Sequence, residues 1–77
     1  MAKIMNNKIL IFRTSVTNTK ELMLLSSVLN SCAKIKSWNI DLDDWEKVLR
    51  VECSKNLIPK EVIEMIQNVG ICISELE

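Results

Sequence analysis

Two stretches with helical spacing are each framed by stretches with strand spacing, and this order constrains the chain more than any other feature. The first stripe is Leu22, Leu25, Leu29 and Cys32 with Val28 alongside, and the second is Val62, Ile63, Ile66 and Val69. Apolar residues recurring at about 3.6 per turn give each helix a single face to bury. Ahead of the first stripe lies KILIFRTS, residues 8–15, whose four consecutive apolar side chains bounded by polar ones read as a central strand. Between the stripes runs a segment from Ile35 to Leu42, in which Trp38, Ile40 and Leu42 alternate with Asn39 and Asp41. Strict alternation marks a strand with one wet face. Asp43, Asp44, Trp45 and Glu46 make a polar turn, and Lys47 to Cys53 is the returning strand of a hairpin. Leu49, Val51 and Cys53 share one of its faces and Val48, Arg50 and Glu52 the other. A last short strand runs from Ile71 to about Leu76.

The helix ends have chemical reasons. Asn18 can cap the free amides of a first helix over 18–32, while Glu21, three residues on, reaches back to the cap's own amide. Pro59 suits the first position of the second helix, and Gly70 supplies a left-handed stop after Val69.

The resulting order is strand, helix, strand, strand, helix, strand. Right-handed crossovers bring both apolar stripes onto the same face of one sheet. The expected fold is therefore α+β, a ferredoxin-like βαββαβ two-layer sandwich with two helices on a four-stranded antiparallel sheet. A chain of 77 residues makes one domain, residues 1–77, with 1–7 expected to fray. The second sheet face stays open. Strand one is apolar on both sides, so either Leu10 with Phe12 or Ile9 with Ile11 is expected there, joined by Val48 if it points outward. Leu10, Phe12, Trp45 and Val48 are the candidate partner-binding residues, and two-fold self-association is the expected use of the strip. Trp38 is expected in the core. Trp45 has two readings: a ring laid over the neighbouring strand, or an exposed anchor for a partner.

Charge and composition exclude several classes. Ten basic and ten acidic residues cancel without any run of like charge, so neither nucleic acid nor an anionic membrane is an expected partner. The apolar run from Ile9 to Phe12 is too short for a signal-peptide core or a membrane span, and a cytoplasmic protein is expected. There is no histidine, hence neither the commonest metal ligand nor the commonest general base. Cys32, Cys53 and Cys72 have no metal-type spacing and read as small buried hydrophobes. Asp41, Asp43, Asp44 and Glu46 lack the glycine and spacing of a calcium loop, and form a solvated turn. Val48, Arg50 and Glu52 offer no stacking aromatic for RNA. Residues 13–18 have no glycine with which to cradle phosphate. No catalytic residue and no cofactor are expected.

From Ser15 to the end, the chain resembles the heavy-metal-associated domain of copper chaperones and metal-transporting ATPases. That family's loop before helix one usually reads GMTCxxC, and the corresponding residues here are Ser15, Val16, Thr17, Asn18, Thr19, Lys20 and Glu21. Thr17 matches the family's threonine and Val16 stands at its methionine, while Asn18 and Glu21 occupy the two cysteine positions. IKSWNIDL, residues 35–42, resembles its second strand, and Pro59 to Gly70 its second helix with the closing glycine. The resemblance implies the fold and, where the cysteines are present, Cu(I) binding. Val16, Thr17, Asn18 and Glu21 are thus degenerate metal-loop positions. A non-catalytic binding or assembly module is expected; the alternative is a soft-metal carrier using Cys32, Cys53 or Cys72 in a nonstandard way. A small-ligand regulatory domain of the ACT type shares the topology and is a third option.

Overall fold

The computed structural model describes residues 7–76, in the order β1 (Asn7–Thr14), α1 (Thr19–Asn30), β2 (Ile35–Asp41), β3 (Val48–Ser54), α2 (Pro59–Gln67) and β4 (Ile73–Glu75). Of the segment expected to fray, residues 1–6 lie outside the described residues; Asn7 opens β1 opposite Ser54. The strands form one antiparallel sheet in the order β2-β3-β1-β4. The element order and the central position of β1 and β3 are those of the ferredoxin-like sandwich.

Register decides which side of β1 is buried. Phe12 lies opposite Leu49 and Leu10 opposite Val51, so β1 adds its even-numbered side chains to the apolar face of β3. Phe12, Leu49, Val51 and Cys53 are fully buried beneath Leu25, Leu29, Val62 and Ile66 of the helices. Each large aliphatic or aromatic side chain so enclosed contributes about 1.5–3 kcal/mol of transfer free energy. Leu10 and Phe12 are therefore core residues rather than partner contacts, and the outward pair is Ile9, 56% exposed, with the half-buried Ile11.

Val48 offers no partner contact either. It is only 7% exposed, because Thr14 binds the hairpin turn onto the end of β1. The Thr14 amide donates to Glu46 O at 3.2 Å and its hydroxyl donates to Lys47 O at 2.8 Å.

Other boundaries moved for local reasons. Lys47 takes φ +48°, a left-handed conformation that ends the turn, so β3 starts one residue later than expected. Helix α1 stops at Asn30, where Ser31 turns its hydroxyl onto Val28 O at 2.8 Å. Gly70 adopts φ +89° as expected of a helix stop. Strand β4 is only three residues long, although Ile71 just before it is buried. In β2 the register slips between Ile35 and Ser37. This bulge lets Ile35 and Trp38, three positions apart, both pack against the core. Trp38 is half-buried, with its indole Nε1 donating to Asn30 Oδ1 at 3.0 Å.

Candidate functional site: the loop end of the sandwich

Three connections meet at one end: the β1–α1 loop, the β2–β3 turn and the α2–β4 link. The antiparallel pairing of β1 with both β3 and β4 places them there.

The β1–α1 loop is closed on itself. Val16 is fully buried and pins the loop to the core. Asn18, extended at φ −145°, caps α1, its Oδ1 accepting the Glu21 amide at 2.8 Å. The Glu21 carboxylate does not return to the cap residue's amide, as a simple capping box would have it. It goes one residue further back, where Oε1 accepts both the Thr17 amide at 2.9 Å and the Thr17 hydroxyl at 3.2 Å. Thr17 offers two donors to one oxygen, which satisfies more of the loop than the single amide of Asn18 would. Val16, Thr17, Asn18 and Glu21 are thus brought together, and the polar groups of the last three are engaged with one another.

The link to β4 is tied to the same loop. The Ser15 amide donates to Cys72 O at 3.0 Å, and the Cys72 amide donates back to Ser15 Oγ at 3.1 Å. A shallow depression of about 340 Å³ opens beside it, lined by Arg13, Thr14, Ser15, Cys72, Ile73 and Ser74. Arg13 is already paired, with its guanidinium 2.7 Å from Glu46.

The hairpin turn is built differently. Asp41 Oδ1 accepts the Asp43 amide at 3.1 Å, Asp44 Oδ1 accepts the Glu46 amide at 2.8 Å, and Lys47 Nζ donates to Leu42 O at 3.0 Å. These carboxylates brace the turn, and the turn presents Trp45 at 84% exposure. The ring lies over no strand.

The three cysteines are free and differ in setting. Cys53 is in the core, and burial pushes its thiol above the ordinary range; the Lys8 ammonium opposes that rise and the neighbouring Cys32 adds to it. Cys32 packs half-buried against the core, as expected of a small hydrophobe. Cys72 is exposed, contrary to that expectation, because it precedes the buried Ile73 and so falls on the open side of the sheet. Among the described residues no group of three or more His, Cys, Asp or Glu side chains is placed to hold a metal ion, and no helix is long and apolar enough to cross a membrane.

The loop residues do not fit Cu(I). An amide and a carboxylate are hard oxygen donors with little affinity for a soft cation, and here both are committed to backbone amides. Sequence reasoning found the cap but not the cross-links of Thr14, Arg13 and Ser15, which bind the three connections together. Their partners lie far along the chain, so no local spacing signals them.

No family model matches the chain, and no curated protein matches it. Solved structures do. The yeast copper transporter domain CCC2A superimposes with a TM-score of 0.77 at 14% identity, covering 90% of this chain and 94% of that one. The HMA domain of a copper chaperone for superoxide dismutase gives 0.79 at 16% identity, covering 100% of this chain and 79% of that one. The first domain of the human copper chaperone for SOD1, in its copper(I)-loaded form, gives 0.74 at 16%, covering 90% and 92%. This chain has the fold of HMA domains, ferredoxin-like with both helices on one face.

Proposed function

We propose that this chain is a non-catalytic binding or assembly module, which keeps the HMA-domain fold without the thiolate pair of its metal loop. It acts in the cytoplasm, on a second copy of itself or a small protein partner. One observation carries the reading: the two positions that the family resemblance gives to cysteine hold Asn18 and Glu21, whose side-chain oxygens are occupied by loop and helix amides. A group already serving as a cap contributes to stability by staying where it is. The absence of histidine from the chain and the turn-bracing role of Asp41 and Asp44 support a role without catalysis.

The second reading, a soft-metal carrier with nonstandard ligands, is favoured by one feature: Cys32 packs against the core cluster that contains Cys53. Competition against a mild Cu(I) chelator separates the two. The module reading expects the chelator to keep all the copper. A one-to-one complex that survives the chelator contradicts it, and loss of that complex in Cys53→Ala would assign the metal to the core thiols.

A further inference from the structure

The charges of this neutral chain are sorted by the fold. Strand pairing puts Asp41, Asp43, Asp44 and Glu46 together at the hairpin end. It puts Lys34, Lys36 and Lys55, all exposed, at the opposite end, with Lys60 on the first turn of α2 beside them. Several counter-charges are engaged locally, while Lys20 at the start of α1 adds an exposed positive charge to the hairpin end. Glu52 accepts from Asn7 and Ser37, both at 3.2 Å, and Glu61 accepts the Ile58 amide at 3.2 Å. At the hairpin end, Arg13 is held by Glu46 and Lys47 by a backbone carbonyl.

Between the two ends lies the sheet face that the helices leave bare. It carries Ile9 at 56% exposure, opposite Glu52, and the exposed Arg50, which makes no ion pair among the described residues. Ile9, Ser37, Asn39 and Arg50 border a shallow depression of about 170 Å³ on this face. From the hairpin end of β3 to the row of Ile9 and Glu52 is roughly 13 Å along the strand.

We propose that this face is where two copies of the chain pair, about a two-fold axis lying between the sheets and across their strands. Such an axis reverses strand direction, so the acidic turn of each copy lies on the lysine end of the other. The contact is self-complementary and closes at two copies. Each Trp45 reaches the Ile9 and Arg50 depression of its partner, where the isoleucine gives apolar contact and the guanidinium a cation–π partner. The turn is suited to this use because its carboxylates and Thr14 fix it before any contact forms, which lowers the ordering cost of association. A solvated aromatic on a rigid turn is the kind of residue that dominates binding energy once covered. The pairing rests on the assembly-module reading and names its partner.

Sedimentation velocity on the full chain near ~100 μM tests it. The expected result is a monomer–dimer equilibrium that weakens with added salt and never grows past two copies. Trp45→Ala should weaken it at least tenfold, and so should Asp43→Lys at one end or Lys36→Glu with Lys55→Glu at the other. Mixing the Asp43→Lys protein with the Lys36→Glu/Lys55→Glu protein should restore a dimer, because both contacts of the mixed pair again join opposite charges. A wild-type monomer at this concentration overturns the pairing. So does a dimer indifferent to all these changes, or one that elongates into larger species. The Cu(I) competition keeps the two levels apart: a monomer that takes no copper sinks only this interface, whereas a monomer that holds copper one to one sinks the module reading with it.

Discussion

Two connections at the same end of the sandwich use the same chemistry to opposite effect. In the β1–α1 loop, Asn18 and Glu21 turn their oxygens inward to backbone amides, Val16 is buried, and little is left over for a ligand. In the β2–β3 turn, Asp41 and Asp44 do the same, yet the result is a braced platform from which Trp45 stands 84% exposed. The difference lies in what the bracing serves. The first loop spends its polar groups on starting a helix; the second spends them on holding a large aromatic in water, which no internal contact explains. A loop closed on itself and a presented surface in its neighbour are thus separate features of one end.

The largest expected effect separates the two faces of β1 on which that end is built. Phe12→Ala removes a fully buried ring and should cost about 3–5 kcal/mol in urea unfolding. Ile9→Ala, on the open face, should stay within about 0.5 kcal/mol when measured well below the dimerisation range. Equal costs for both would mean that the register placing Phe12 over Leu49 is wrong.

A smaller effect separates the two loops themselves. Asn18→Ala should destabilise by about 0.5–2 kcal/mol through an unmet first-turn amide, while Trp45→Ala under the same dilute conditions should change stability by less than about 0.5 kcal/mol. Should Trp45→Ala prove the costlier of the two, the ring would be part of the monomer's core and the comparison would fail.

Much of the fold was legible in the residues and much of the site was not, for definite reasons. Element order, the Asn18 cap and the Gly70 stop are local, written in spacings of a few residues. The alternation of strand one was equally plain, but a period of two says only that there are two faces. Choosing between Leu10 with Phe12 and Ile9 with Ile11 needed the long-range pairing with β3. Val48 was misplaced for the same kind of reason: Thr14, more than thirty positions earlier, folds the turn against it. Glu21 was assigned its cap function correctly and the wrong donor, since a flexible carboxylate chooses between Asn18 and Thr17 by geometry alone.

The central claim is that the loop retains a metal-loop backbone and lacks only the ligands. Asn18→Cys combined with Glu21→Cys tests this most directly, because the helix N-terminus that both residues flank also lowers thiol pKa and favours the thiolate that soft metals take. Cu(I) titration of the double variant against a chelator should show one tightly held copper per chain, where the wild type holds none. A double variant that folds, as judged by its urea transition, and still leaves all the copper with the chelator would contradict the alignment of Asn18 and Glu21 with the metal-binding positions.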